Sequence, residues 1–196
     1  MKHEAIKFNT KKQLSNSLKE ILQQKPFFKV TISEIASRCG LNRKTFYYHF
    51  SDVRQLLEWT FKQEAVDIFT EYGRMNNFSD AILFTVDYIQ KNKLFLANVY
   101  NSIGGYELTE FFRCNFCEVI EMSVSMHEKQ LDITVSDNYK AFLCSFYSQA
   151  LSGQMLELIN TDSPLDKNTI SNYILMTLSV SIPEVLKEAV ESGMNQ

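Results

Sequence analysis

Two short amphipathic segments joined by a glycine, within residues 31–50, constrain the fold of this chain more than any other feature. Thr31 and Glu34 stand three residues apart ahead of an apolar pattern, which predicts a capping box and the start of a helix. Gly40 suits the tight turn that ends such a helix. Asn42 can cap the next helix by accepting a hydrogen bond from a backbone N–H. The segment therefore predicts a helix-turn-helix packed on a preceding helix.

The remainder of the chain is also predicted to be helical. Its 196 residues include only 6 glycines and 3 prolines, which leaves few positions for the turns of an all-β fold. Apolar residues recur at helical spacing along most of it. We therefore predict an all-α fold, with an N-terminal three-helix head and a C-terminal helical bundle, and with helices over about 10–24, 32–38, 43–49, 52–73, 80–91, 93–101, 105–128, 136–160 and 167–190.

Charge is divided unequally between the two ends of the chain. Residues 1–50 contain ten Lys/Arg and three Asp/Glu, whereas residues 51–196 contain ten Lys/Arg and twenty Asp/Glu. A basic end on an acidic body directs that end toward a polyanion and keeps the body away from it. A solvated basic surface without a partner would have the same charge, so the charge alone does not decide in favour of nucleic acid.

The third predicted helix carries side chains suited to reading DNA. Phe46 belongs to the core of the head, which leaves an exposed set: Arg43, Lys44, Thr45, Tyr47, Tyr48 and His49. Arg43 or Lys44 can donate to guanine. Thr45 can contact a thymine methyl group or a phosphate, and Tyr47 and His49 can donate to phosphate oxygens. The predicted partner is double-stranded DNA.

The stretch from Thr31 to Phe50 resembles the TetR family of transcriptional regulators. Its Thr-Ile-x-x-Ile-Ala run, its Gly-Leu turn, its Thr-Phe-Tyr-x-His-Phe end and the following Leu-Leu pair all stand in that family's register. The resemblance implies a homodimer with two DNA-binding heads and a helical C-terminal domain. It also implies phosphate contacts by Thr31, Tyr47 and His49.

Two positions depart from the usual pattern of that family. Many members have a small residue where Lys44 stands, so this lysine adds charge to the exposed face. Many members have lysine where Asp52 stands, and an acid there suits the positive end of the following helix. Asp52 removes one implied phosphate contact, and whether Arg54 replaces that contact is left open.

The resemblance implies three parts: a DNA-binding domain over 1–50, a connecting helix over 51–73, and a dimerisation and effector domain over 74–196. The last part is loosely similar to a subgroup that includes regulators of dihydroxyacetone metabolism, whose members can be activated by a partner protein. The expected function is a repressor that binds a palindromic operator under the control of an effector. The alternatives are an activator controlled by a partner protein, or a helical protein-interaction module without a ligand pocket.

Two sets of side chains in the C-terminal part are candidates for effector binding and dimerisation. The predicted ligand pocket has an aromatic lining: Phe84, Tyr88, Phe95, Tyr100 and Phe112. Asn98 and Gln149 are further candidate polar groups, and a plain core is the alternative interpretation. The predicted dimer interface lies on the last two long helices and contains Phe142, Phe146, Ile174 and Leu178. These helices can form a four-helix bundle across a two-fold axis.

The histidines and cysteines form no catalytic or metal-binding pattern. Cys114 and Cys117 make a C-x-x-C without a second pair or a nearby histidine, so free thiols are expected. No apolar run reaches the roughly 20 residues that span a bilayer, and residues 1–12 do not resemble a secretion signal. We therefore expect a cytoplasmic regulator with no enzymatic activity, cofactor, metal or membrane partner.

Overall fold

The computed structural model describes residues 2–72, 78–161 and 166–193, and for residues 2, 3, 65–72 and 103 it describes the backbone alone. Across these residues the chain is helical and has no strand, which confirms the all-α prediction. The helices are α1 (Lys2–Leu22), α2 (Ile32–Arg38), α3 (Arg43–His49), α4 (Val53–Tyr72), α5 (Phe78–Lys91), α6 (Lys93–Ile103), α7 (Gly105–Leu131), α8 (Asp137–Asn160) and α9 (Lys167–Glu191). A short 3-10 turn occupies Phe27–Lys29.

The chain divides into two compact units. The first, here called the head unit, contains Met1–Thr70 and Asn92–Glu107. The second, the body unit, contains Glu71–Lys91 and Leu108–Gln196. Helix α6 thus packs with the head unit, although its place in the sequence is within the predicted C-terminal part.

The helix-turn-helix is fixed by the caps that the sequence predicts. The Thr31 hydroxyl oxygen accepts a hydrogen bond from the Glu34 N–H at 3.3 Å, and the Asn42 side chain accepts one from the Thr45 N–H at 2.9 Å. Gly40 has a φ of 70°, a conformation that favours glycine. The capping box is only half formed, because the Glu34 carboxylate lies 2.5 Å from the Lys25 ammonium instead of turning back to the Thr31 backbone. A cation within reach competes for that carboxylate.

Helix α1 begins at Lys2, several residues before its predicted start. The prediction followed the apolar stripe, whose members Leu14, Leu18, Ile21 and Leu22 are all buried in the head unit. The first turns carry no such stripe, and Glu4, Ala5 and Ile6 are exposed. These turns continue the backbone ladder of a helix whose apolar face lies further along.

Asn98 joins α6 to the end of α1 within the head unit. Its side-chain amide donates to the Leu22 carbonyl at 2.9 Å, and its carboxamide oxygen accepts from the Phe27 N–H at 2.9 Å. The Leu22 carbonyl is one of the groups that a helix leaves without an intrahelical partner at its C-terminus. Asn98, predicted as a polar group of a ligand pocket, is therefore occupied in holding the head unit together.

The body unit is an apolar core formed by long helices. Helix α5 packs against α8 and α9. The interior of the body unit is formed by buried side chains such as Ile82, Val86, Phe116, Val119, Leu151, Met155, Ile182 and Leu186. Ser136 caps α8, and Asp166 caps α9 by accepting from the Asn168 and Thr169 N–H groups. Within the described part of the chain, no helix combines the length and apolarity that a bilayer crossing requires.

Candidate DNA-binding site

Helix α3 buries one side chain and presents the opposite face to solvent. Phe46 is fully buried beneath the helix. Arg43 and Lys44 are exposed, and Tyr47 and Tyr48 are 51% and 64% exposed. The Arg43 guanidinium lies 6.0 Å from the Tyr47 ring centroid, which keeps a cation beside a phenol on the outer face. Four of the side chains predicted to face DNA are therefore accessible on α3.

The two threonines of the predicted site also have structural roles. The Thr45 hydroxyl is half-buried and donates to the Asn42 side chain at 3.1 Å, so its hydrogen is already used. Its methyl group remains for an apolar contact. The Thr31 hydroxyl accepts from the Glu34 N–H, which leaves its own hydrogen available to an acceptor outside the protein.

The first turns of α1 extend the basic surface beside α3. The Lys7 ammonium lies 5.4 Å from the Tyr48 ring centroid. The Lys11 ammonium lies 5.4 Å from the Phe50 centroid and 5.7 Å from that of Trp59. The sequence did not identify these two lysines as part of the site, because the first helix was predicted to begin after Lys7 and its packing against α3 depends on the fold. The excess of cations in residues 1–50 was the signal that could have identified them.

The cations of the head unit differ in whether they form ion pairs with carboxylates. Three of them pair with carboxylates: Lys19 with Glu64 at 2.8 Å, Lys25 with Glu34 at 2.5 Å, and Arg38 with Glu20 at 2.9 Å. Among the residues whose side chains are described, Lys7, Lys11, Arg43 and Lys44 form no ion pair with a carboxylate. Positive charge is thus left available on α3 and beside it.

His49 lies at the end of α3 and is half-buried. Its pKa is lowered from the ordinary value, first by desolvation and then by the nearby charges of Lys11 and Lys7. The imidazole is therefore neutral at pH 7 and has one N–H to donate. Its ring meets that of Tyr48 edge to face, with centroids 5.0 Å apart.

The start of α4 shows what Asp52 and Arg54 contact, at the place where many family members have a lysine. The Asp52 carboxylate accepts from the Gln55 N–H at 2.8 Å and so caps α4. The Arg54 guanidinium donates to the Ser102 carbonyl of α6 at 2.5 Å. Arg54 is thus engaged within the head unit, whereas Lys7 and Lys11 lie against Tyr48 and Phe50 at the end of α3.

The aromatic set predicted to line a ligand pocket is divided between the two units. Phe84 and Tyr88 stack on α5 with centroids 6.5 Å apart, and Phe112 is buried on α7, all in the body unit. Phe95 and Tyr100 lie on α6 in the head unit, where Phe95 is fully buried beneath the Lys19 ammonium. The ligand pocket stays a prediction.

The predicted dimer interface includes exposed and buried side chains of the body unit. Phe142 and Phe146 are each 57% exposed and stack at 5.9 Å on α8. Ile174 is half-buried, whereas Leu178 is 3% exposed and belongs to the core of its own unit. The exposed apolar side chains of α9 are Tyr173, Met176 and Val180. Helix α9 thus has two apolar stripes, one buried in its own unit and one exposed. The sequence alone did not show which stripe is buried.

Comparisons with known proteins agree with this geometry. The family described as "Bacterial regulatory proteins, tetR family" matches residues 16–59, and "Transcriptional regulator C-terminal region", of the same family, matches residues 76–180. The chain is 22% identical to the HTH-type dhaKLM operon transcriptional activator DhaS of Lactococcus lactis, over 87% of this chain and 91% of that protein. It also resembles the solved structure of the dihydroxyacetone kinase operon activator DhaS, with a TM-score of 0.74 and 20% identity, over 88% of this chain and 96% of that one.

These matches confirm the similarity to regulators of dihydroxyacetone metabolism that the sequence suggested, and all of the matched proteins are regulators rather than enzymes. The chain belongs to the TetR family of transcriptional regulators.

Proposed function

We propose that this regulator acts as a cytoplasmic homodimer that places α3 of each protomer in the major groove of a palindromic operator. The observation that carries the proposal is a basic surface without a described carboxylate partner, formed by Arg43 and Lys44 on α3 and by Lys7 and Lys11 against its end. Groups left accessible in this way can replace the counterions of DNA phosphates.

The geometry of α3 supports a division of roles. Arg43 and Lys44, at the start of the helix, reach guanine edges, and the Thr45 methyl group meets a thymine methyl group because its hydroxyl is bound to Asn42. Tyr47 and His49 donate to phosphate oxygens. The Thr31 hydroxyl, with its hydrogen available, donates to a phosphate as well.

Dimerisation through α8 and α9 follows from the exposed apolar stripe of the body unit. Phe142 and Phe146 stand one turn apart on α8, and Tyr173, Met176 and Val180 repeat on α9. Aromatic and methionine side chains are enriched in protein interfaces. A second copy of the same face would cover this stripe as a four-helix bundle, and two-fold symmetry would then supply two heads for two half-sites.

Control of DNA affinity is assigned to the body unit. An effector that favours one spacing of the two heads changes DNA affinity by a coupling that is typically about 1–3 kcal/mol, or about 5–150-fold. Repression relieved by a small molecule is the first candidate. Activation through a partner protein is the second, and it is favoured by the similarity to DhaS, which is described as an operon activator. A reporter fused to the selected operator distinguishes the two by the sign of its response when the regulator is deleted.

Selection of bound sequences from random duplex DNA tests the DNA-binding proposal. We expect enrichment of a palindrome, and loss of binding to it in the Tyr47→Ala, His49→Ala double variant. Lys129→Ala, an exposed lysine on α7 of the body unit, is the matched control and should bind normally. If the double variant binds the palindrome with unchanged affinity, α3 is not part of the DNA interface.

Sedimentation tests the dimer. The wild type should sediment at twice the chain mass at micromolar concentration, and Phe146→Asp should shift it toward the monomer, because a charge on the stripe must be desolvated. Leu83→Asp, which changes an exposed leucine on α5, should leave the dimer intact. A dimer that tolerates Phe146→Asp as well as Leu83→Asp would exclude this face.

A further inference from the structure

Two cysteines of the body unit, far apart in sequence, are joined across two helices. Cys117 on α7 and Cys144 on α8, 27 positions apart in sequence, form a disulfide with their Cα atoms 5.2 Å apart. This Cα separation is ordinary for a disulfide. The sequence predicted free thiols at Cys114 and Cys117 of the C-x-x-C, but Cys117 is bonded to Cys144, and Cys114 is exposed and outside the pair. The pairing could not be predicted from sequence because it depends on how α7 and α8 pack.

The surroundings of the two sulfurs also accommodate the reduced form. The Cys144 sulfur lies 3.4 Å from the Cys117 carbonyl oxygen. A carboxylate oxygen of Glu121 lies 3.8 Å from the Cys117 sulfur and 3.9 Å from the Cys144 sulfur. Each thiol would therefore have an acceptor close by when the bond opens. A pair that is satisfied in both states is suited to repeated oxidation and reduction.

The two sulfurs differ in accessibility. Cys144 is buried, with 4% of its surface exposed, whereas Cys117 is half-buried. An oxidant from solvent reaches Cys117 first, and Cys144 is held behind it within bonding distance. One accessible sulfur beside one protected sulfur is the arrangement of a reactive thiol and its resolving thiol.

We propose that Cys117 and Cys144 are a reversible oxidation site for hydroperoxides, with the disulfide as its oxidised state. The inference rests in part on the proposed cytoplasmic action, because disulfides in reducing compartments are usually transient and serve redox sensing or catalysis. The Cys117 thiolate attacks the O–O bond, forms a sulfenic acid and releases water or an alcohol. The Cys144 thiol then attacks that sulfur, the S–S bond forms, and the sulfenic oxygen leaves as water. Two electrons from the two sulfurs reduce one hydroperoxide, and a dithiol returns the pair to thiols.

Glu121 controls the rate of this reaction. Its carboxylate is close to both sulfurs and disfavours a thiolate there, since like charges repel. The Glu121→Gln variant should therefore react with hydrogen peroxide about two to five times faster than the wild type.

A metal site is the competing interpretation, because Cys117, Glu121 and Cys144 together could bind a thiophilic cation such as Zn²⁺. In that case loss of the carboxylate would weaken metal binding and would not accelerate oxidation of the metal-free protein.

Thiol counting tests the site on the full-length protein. Reduced, metal-free protein is treated with equimolar hydrogen peroxide, denatured and labelled with a polymer-linked maleimide. Four thiols should fall to two, and dithiothreitol should restore all four. Cys117→Ser and Cys144→Ser should each abolish the formation of an intramolecular disulfide, which peptide mass mapping detects. Cys114→Ser and Cys39→Ser are the matched controls and should still form it, because neither Cys114 nor Cys39 belongs to the pair.

A melting experiment provides a second readout that needs no DNA. The bond closes a long loop, so the oxidised wild type should melt about 5–10 °C above the reduced form, and the two serine variants should show no such difference. Retention of four thiols after peroxide, an intramolecular disulfide that joins cysteines other than Cys117 and Cys144, or stoichiometric Zn²⁺ binding that prevents oxidation would each overturn the proposal. Failure of DNA binding by the reduced protein would instead contradict the proposed function and leave the oxidation site standing.

Discussion

The head unit and the body unit are both helical, but different forces determine what each presents to solvent. In the head unit, short helices are held by side-chain hydrogen bonds at their ends, from Thr31, Asn42 and Asn98. In the body unit, long helices are held by apolar packing around residues such as Phe116 and Ile182. The caps fix where each short helix begins, and the burial of one residue such as Phe46 then fixes its exposed face, whereas apolar stripes on a long helix serve core and interface alike. A binding surface can therefore be recognised from sequence in the head unit more readily than in the body unit.

The largest effect should come from removing the apolar support of α3. Phe46→Ala leaves a cavity beneath the helix and should cost about 3–5 kcal/mol of stability, with loss of DNA binding. Phe28→Ala, in the same unit but 81% exposed, should stay within about 0.5 kcal/mol of the wild type. Urea unfolding and a mobility-shift assay measure both. Tight operator binding by Phe46→Ala would mean that the exposed face of α3 is held by its caps alone.

Replacing single cations should separate base reading from phosphate binding. Lys44→Ala should weaken binding to the selected operator by about 1–3 kcal/mol and relax preference at one base pair. Lys7→Ala should weaken binding to every duplex and reduce the slope of log affinity against log salt by about 1. Titrations at several salt concentrations, on operator and random duplexes, measure the two effects. Equal losses on all duplexes for Lys44→Ala would place that lysine on phosphate.

Asn98 tests whether α6 stabilises the head unit. Asn98→Ala leaves the Leu22 carbonyl and the Phe27 N–H without this partner, which should cost about 1–3 kcal/mol. Asn101→Ala, an exposed asparagine on the same helix, is the matched control and should have little effect. Hydrogen exchange at the end of α1 should report the loss locally. Equal protection there in both variants would contradict a stabilising role for α6.

The smallest effect should be a pH dependence due to His49. Desolvation and the charges of Lys11 and Lys7 lower its pKa in the free protein, and a DNA phosphate would raise it, so binding should take up a proton. Affinity should rise by about 2–10-fold as pH falls from about 7.5 to 5.5, and His49→Gln should remove this gain. Folding has the opposite sign: the stability contributed by a lowered histidine pKa is present above its ordinary value and lost as pH falls below it. Melting curves at each pH separate the effect on stability from the effect on DNA affinity. If affinity varies with pH in the same way in His49→Gln and in the wild type, His49 is not the source of the dependence.

The parts of the molecule that sequence predicted are those set by neighbouring residues. The all-α class follows from scarce breakers and helical spacing, and Thr31, Gly40 and Asn42 act within four residues of their partners. The exposed face of α3 follows from the burial of Phe46. Local hydrogen bonds and steric limits are encoded in short stretches, and they can be read without knowing the rest of the fold.

The parts that sequence did not predict depend on distant residues. Arg54 reaches the Ser102 carbonyl, and Cys117 meets Cys144. The direction of Leu178, inward rather than toward a second protomer, also depends on which of two stripes α5 covers. Such contacts are selected by packing among elements, for which a single sequence without aligned relatives provides no distance information.

The hydrogen bonds of Asn98 also bear on how the protein is made. They join residues 71 and 76 positions apart in the chain, so the head unit is discontinuous in sequence. A ribosome releases the helix-turn-helix early, at about 5–20 residues per second, but the unit cannot be completed until α6 has also emerged. For the same reason, a hybrid regulator that carries residues 1–50 of this chain on the body of another protein would lack the α6 that completes this head unit. We expect such grafts to work only when residues 92–107 are transferred together with the helix-turn-helix.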